Sequence, residues 1–214
     1  VGDLVIDYCE TLMGVDESIG TVMAYLEARG LADETVVIYM GDNGFSWGEH
    51  GLIDKRHFYE ESAKVPLLVR CPDLFEGGET LHSLVQNIDI APTVMAMAGL
   101  EKNPEMHGDS FLPLLEGKEV PWRDKVFYEY YWEYDFPMTP SVFGVRTDRY
   151  KLIRYHGLWE RNELYDLQSD PNEMYNLIEH PEHQDLIREL AGEIYDWLEN
   201  SGGMQIPLKR TIKH

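Results

Sequence analysis

The chain is poor in cysteine, in positive charge and in long apolar runs. Cysteine occurs twice in 214 residues, at Cys9 and Cys71. That is too few for the disulfide framework that staples small secreted domains, so two free, buried thiols are expected. The 18 Lys and Arg stand against 39 Asp and Glu, a formal net charge of −21. Such a surface repels phosphate backbones and anionic bilayers, which excludes nucleic acid and membrane surfaces as partners. It also counts against a long polyanion lying across the surface, while a single anionic group entering a locally basic pocket stays compatible. No apolar run approaches the roughly 20 residues that cross a bilayer, so no membrane span is expected. Residue 1 opens directly into an amphipathic pattern with no visible signal peptide, and the chain reads as beginning mid-protein. A hydrophobic content of 43% with 12% aromatics describes a folded chain, long enough for one large domain or a domain and a half.

What is present is organised around one stretch. Val36-Val37-Ile38-Tyr39-Met40 is apolar and β-branched, and it stops at Gly41-Asp42-Asn43-Gly44. A run without polar alternation predicts a strand over Thr35–Met40 covered on both faces, as in a parallel α/β sheet. Functional groups in such sheets gather beyond the carboxyl ends of the strands. Asp42 and Asn43 then set two hard oxygen donors side by side at the rim, the donor type that Ca2+ or Mg2+ takes. Asn43-Gly44 is also a hairpin signal by itself, so a plain turn competes with a metal site here. An EF-hand is excluded, because the spaced acidic positions and the terminal glutamate are absent.

Residues 44–64 predict a glycine-rich, aromatic loop carrying Gly48-Glu49-His50-Gly51 and Asp54-Lys55-Arg56. Loops of this length without periodicity are often functional. An ammonium at Lys55 beside a divalent cation is a device for gripping a tetrahedral oxyanion. His50 is a candidate donor to a substrate, or an anchor of the loop. Arg56 and His57 are further candidates.

The remaining pattern is regular. Residues 1–29 repeat apolar positions at steps of three and four, predicting an amphipathic helix packed on a sheet and ended by Gly30. Lys64–Arg70 and Leu81–Gln86 read as strands, and Asp89 as the N-cap of a helix to Ala98 with Gly99 beyond it. Residues 101–123 are irregular, with His107 and Phe111–Leu115 expected to pack. Val126–Tyr134 is intensely aromatic; core packing is the plain explanation, but Trp132 is a candidate platform for a sugar ring. Ser141–Arg146, Tyr150–Tyr155 and Glu163–Leu167 predict an antiparallel meander, followed by a helix over Pro181–Leu198. Arg146, Arg149, Lys151, Arg154 and His156 gather positive charge, read as a solvated face in preference to a contact with substrate. The division expected is 1–115 and 116–214.

Gly41-Asp42-Asn43-Gly44, Gly48-Glu49-His50-Gly51 and Asp54-Lys55-Arg56 closely resemble the second half of a type I, formylglycine-dependent sulfatase of the alkaline phosphatase superfamily. The resemblance continues through Asp89-Ile90-Ala91-Pro92-Thr93, Gly144–Lys151 and Glu163–Leu167 with Asp170-Pro171. It implies an α/β fold: part of a mostly parallel sheet flanked by helices, plus a small C-terminal antiparallel sheet with a packed helix. It implies a sulfuric ester hydrolase acting on sulfated carbohydrate, exported to a secreted, periplasmic or lysosomal location. Asp42 and Asn43 would bind Ca2+ (or Mg2+), Lys55 and His50 would serve catalysis and bind substrate, and Arg56 and Trp132 would contact substrate. The aromatic run Tyr128–Glu133 with Tyr155–Trp159 is most similar to sulfatases of amino-sugar sulfates, such as N-acetylglucosamine-6-sulfatases.

One motif of that family is missing. The Cys/Ser-x-Pro-x-Arg sequence that yields formylglycine does not occur: Cys9 and Cys71 lack its pattern, and Ser169-Asp170-Pro171-Asn172-Glu173 ends in glutamate. The chain resembles a C-terminal portion, with formylglycine expected in an N-terminal part, and alone it is expected to be inactive. A phosphoester or phosphonate hydrolase of the same superfamily and a non-catalytic truncated module remain as alternatives.

Overall fold

The computed structural model describes residues 2–158 and 161–205. In chain order its helices and strands are α1 (Gly2–Ala28), β1 (Val37–Met40), β2 (Ser46–Trp47), β3 (Ile53–Asp54), α2 (Glu60–Ala63), β4 (Leu67–Arg70), α3 (Ile90–Met97), α4 (Leu112–Leu115), β5 (Lys125–Tyr130), β6 (Val142–Thr147), β7 (Tyr150–Tyr155), β8 (Glu163–Asp166) and α5 (Gln184–Ser201). The chain divides into two compact units, Val1–Asp54 with Lys64–Trp122, and Lys55–Ala63 with Arg123–His214.

In the first unit α1 forms as its three-and-four spacing requires, and Gly30 follows it at φ 66°, a conformation that costs glycine least. No residue of α1 is buried. Val15, Ile19, Val22 and Met23 line an apolar groove with Val37, Ile38 and Tyr39 of β1, while Leu4, Ile6, Met13 and Tyr25 are exposed. Cys9 is exposed, correcting the expectation of two buried thiols; Cys71 is buried, and both are free. Val1 lies outside the described residues.

The strand over Val37–Met40 forms, but its surroundings differ from those expected. It pairs antiparallel with β4, Val37 opposite Arg70 and Met40 opposite Leu67, and among the described residues no strand pair is parallel. Tyr39 is 36% exposed, so the strand is not covered on both faces: an apolar run reports what a strand can bury, not which neighbours are present. Residues 81–86, expected as a strand, run as irregular chain, with the Leu84 carbonyl accepting from Trp122 Nε1 at 2.9 Å. Asp89 is fully buried ahead of α3, yet its carboxylate does not cap that helix. It accepts instead from the Gln86 and Asp109 N–H groups, both at 2.8 Å, closing the Asn87–Asp89 turn and pinning the next loop. Gly108 permits this approach, since a Cβ there would stand 2.1 Å from the Ile88 carbonyl oxygen.

The second unit carries the expected meander. Strands β5-β6-β7-β8 form one antiparallel sheet in that order, and α5 lies on it. Phe143, Val145, Leu152 and Leu164 of the sheet pack against Leu190, Ala191, Ile194 and Leu198 of the helix. Four apolar positions at steps of one, three and four make the stripe that an amphipathic helix buries. Gly202, at φ 79°, ends α5. The aromatic run is largely core: Phe127 stacks on Trp197 with ring centroids 4.6 Å apart, and Tyr131 meets Phe143 edge-on. Trp159 and the basic-tipped tail from residue 206 onward lie outside the described residues.

Candidate functional site

Asp42, Asn43 and His50 belong to the first unit; Lys55, Arg56 and Trp132 belong to the second. Beyond the carboxyl end of β1 the ladder extends by one bond, the Gly41 N–H donating to the Pro66 carbonyl at 3.2 Å. Asp42 and Asn43 follow and are both exposed. The Asn43 N–H donates to Asp42 Oδ1 at 2.8 Å, and Asn43 Nδ2 donates to the Gly44 carbonyl at 2.8 Å. The amide keeps an oxygen acceptor besides the donating nitrogen, the atom type that a hard cation takes. Asn87 Nδ2 donates to the Asp42 carbonyl at 2.8 Å, tying this turn to the segment before α3. The donor set suits a hard divalent cation, though two protein oxygens are a fraction of the about six to eight that Ca2+ takes.

The loop after it is a short hairpin. β2 pairs with β3, and between them a 3₁₀ turn spans Glu49–Gly51, entered through Gly48 at φ 133° and left through Gly51 at φ 72°. His50 sits within it at φ 54°, ψ 17°. The left-handed region costs a non-glycine residue roughly 1–2 kcal/mol, and strain of this kind gathers at functional sites. Glu49 braces the turn: its carboxylate accepts from the Trp47 N–H at 2.6 Å, and backbone hydrogen bonds hold its pKa below the ordinary value. Phe45 and Tyr8 both pack on the Trp47 ring at 4.8 Å.

In the second unit Lys55 is exposed, and its carbonyl accepts from the buried Ser62 hydroxyl at 2.6 Å. Arg56 lies over the Phe136 ring, 3.2 Å from its centroid, with Nε 3.7 Å from Glu133 Oε1. Trp132 is 42% exposed. Its backbone N–H donates to Ser141 Oγ at 2.8 Å and its indole to the Pro137 carbonyl at 3.2 Å. Arg56 and Trp132 thus flank one aromatic loop. His57 is buried against Tyr59.

The sequence reading missed a buried charge cluster in this unit. Lys151, expected on a solvated face, is fully buried. Its ammonium lies 2.6 Å from Glu60 Oε1 and 2.8 Å from Glu173 Oε1, and it donates to the Phe58 carbonyl at 2.9 Å. Arg146 adds a bond to Glu60 at 3.1 Å. Burial raises the Glu60 carboxyl, but Lys151 and Arg146 outweigh it and hold the pKa below the ordinary value. For Glu173 burial wins and the pKa is raised. Beside this cluster, Tyr59, Tyr155 and Tyr165 all donate to Glu163, at 2.7, 3.0 and 2.8 Å, and burial followed by the Glu163 charge drives all three phenol pKa values up. Sequence spacing carries little signal for these contacts, because Arg146 and Glu60 lie 86 residues apart, Tyr59 and Glu163 104, and Glu60 and Glu173 113.

Comparison with known proteins bears on this arrangement. The family model described as N-sulphoglucosamine sulphohydrolase, C-terminal, matches residues 48–200. An N-acetylglucosamine-6-O-sulfatase of Bacteroides thetaiotaomicron is 38% identical over 190 residues, 86% of this chain and 34% of that protein. A protein solved in complex with its substrate D-glucosamine-2-N,6-O-disulfate superposes with a TM-score of 0.84 at 33% identity, over 93% of this chain and 41% of that one. A phosphonate monoester hydrolase of Agrobacterium radiobacter superposes at 0.77 with 26% identity, over 87% and 39%. The chain therefore spans about a third of the length of the curated relative it matches, and the α/β fold expected from the motifs is that of these structures.

Proposed function

Since the chain belongs to the N-sulphoglucosamine sulphohydrolase C-terminal family, we propose that it is the C-terminal portion of a sulfuric ester hydrolase acting on sulfated carbohydrate, with a 6-sulfated glucosamine as substrate. The carrying observation is the exposed Asp42–Asn43 pair beyond β1, with the Asp42 carbonyl tied by Asn87 and the Asn43 amide nitrogen donating to the Gly44 carbonyl. These two residues hold Ca2+ or Mg2+, which when bound supplies positive charge against the sulfate oxygens. Lys55 holds a sulfate oxygen and offsets the charge that grows on the leaving oxygen as the S–O bond breaks. His50, fixed in its left-handed turn, donates to that oxygen. Arg56 and Trp132 contact the sugar, the ring stacking on the exposed indole face. The Cys/Ser-x-Pro-x-Arg motif does not occur in this sequence, and the attacking group would be a formylglycine in an N-terminal part.

The test is turnover by the full-length protein on a panel of positional isomers of sulfated glucosamine and N-acetylglucosamine, with a phosphonate monoester alongside. Hydrolysis of the 6-sulfate, lowered about 100- to 1,000-fold by Lys55→Ala, supports the assignment; inactivity on that isomer alone sinks it. The likeness to the phosphonate hydrolase carries a second reading, which predominant phosphonate turnover in the same panel would favour. Glycan binding without hydrolysis of anything in it would favour a non-catalytic module.

A further inference from the structure

The segment Lys55–Ala63 carries two of the proposed substrate-binding cations, and a lysine with no solvent exposure holds it in place. An ammonium has three N–H donors, and Lys151 on β7 has three oxygens within 2.9 Å: the Phe58 carbonyl, Glu60 Oε1 and Glu173 Oε1. The Phe58 ring lies beside it, its centroid 4.9 Å from Nζ. Glu173 is also fully buried, and its second oxygen accepts from the Glu60 N–H at 2.7 Å. Its backbone takes a left-handed φ of 52°, an uncommon conformation for a side chain of this size. Glu60 begins α2, and within α2 the Ser62 hydroxyl donates to the Lys55 carbonyl at 2.6 Å. One continuous path of hydrogen bonds and ion pairs therefore runs from the C-terminal sheet, through Lys151 and α2, to the backbone of Lys55.

Burial of an ion pair is weak evidence for stability, because apolar side chains of the same volume often serve as well or better. What a buried network of ion pairs and hydrogen bonds supplies is one defined geometry. We propose that Lys151, Glu173 and Ser62 are positioning residues: the Lys151–Glu60–Glu173 cluster sets the conformation of residues 55–63, and the Ser62 hydroxyl sets the direction in which Lys55 leaves that segment. This rests on the assignment of Lys55 to the sulfate group. It goes beyond that assignment by giving the C-terminal sheet a part in the chemistry.

Steady-state kinetics and amide hydrogen exchange on the full-length protein test it. Ser62→Ala removes one hydroxyl and leaves the ion pairs in place. It is expected to lower kcat on the 6-sulfated glucosamine about 10-fold while KM moves less than about threefold, since small misplacement acts on the chemical step. Lys151→Met is expected to speed exchange across residues 56–63 about 10-fold while the β6 and β7 amides stay within about twofold. Should that variant fail to fold, the double variant Lys151→Met/Glu173→Gln, with the Arg146–Glu60 pair intact, makes the same measurement. Wild-type kcat in Ser62→Ala, where Lys55→Ala has lost turnover, overturns the proposal. So does unchanged exchange across 56–63 in the folded Lys151 variants. Wild-type turnover in Lys55→Ala instead overturns the assignment of Lys55, and the two failures are told apart.

Discussion

Glu60 and Glu173 share Lys151 yet have pKa values shifted in opposite directions, and pH separates them. The folded pKa of Glu60 lies below its ordinary value of 4.5, with Lys151 and Arg146 outweighing burial. Its contribution is therefore fully present above pH 4.5 and lost as pH falls through the lowered value. The folded pKa of Glu173 lies above 4.5, raised by burial against the pull of Lys151. Its contribution is fully present below pH 4.5 and lost as pH rises through the raised value. Thermal melts across pH should show Glu60→Gln flattening the acid limb of the stability profile, and Glu173→Gln flattening the fall on the neutral side. Identical profiles for the two variants would mean that the charges are shared differently. Lys151 also marks the limit of residue-level reading: in sequence it is one of five basic residues, and only burial distinguishes it from Arg149, whose side chain is 51% exposed against Asp166.

At the scale of elements, the second unit depends on two contacts. Gly144 in β6 lies under Phe58, and a Cβ there would stand 2.3 Å from the Phe58 ring and 2.9 Å from the Leu152 carbonyl oxygen. Backbone on one side and a stacked ring on the other leave little room to relax, since Phe58 already packs on Tyr128 with centroids 4.6 Å apart. Gly144→Ala should cost about 1–3 kcal/mol in urea unfolding and loosen residues 55–63 first. The second contact is α5 on the sheet. Ile194 and Leu198 are 2% and 3% exposed, and Ile194→Ala should cost about 2–5 kcal/mol by cavity formation, measured by the same unfolding experiment. The element patterns themselves were legible beforehand. The meander, α5, α1 and the strand before Asp42 follow from periodicity and from glycine at the ends. Residues 81–86 show the limit, because a strand needs a partner and alternation cannot supply one.

For the molecule as a whole, stability is tied to the cation that the Asp42–Asn43 pair would hold. If Asp42 and Asn43 hold a hard divalent ion, Ca2+ in excess should raise the thermal midpoint of the full-length protein by the linkage that any native-state ligand exerts. Asp42→Ala should remove that rise while leaving the metal-free midpoint nearly unchanged, because the residue is exposed and its carboxylate accepts from its neighbour's N–H. A rise that survives the substitution would place the ion elsewhere. Among the described residues no helix is long and apolar enough to cross a membrane, in keeping with the absence of such a run in the sequence.

The sequence by itself determined the family, most of the element types and which residues carry donor oxygens and cations, because motif chemistry and periodicity are local properties of the chain. Gly41-Asp42-Asn43-Gly44 pointed to the same family as the match over residues 48–200. Only the tertiary structure decided that Lys151 is buried, that residues 55–63 group with the C-terminal sheet, and that β1 pairs antiparallel with β4. Each of these depends on contacts between residues far apart in the chain. Whether a lysine faces water or two carboxylates is set by what folds over it.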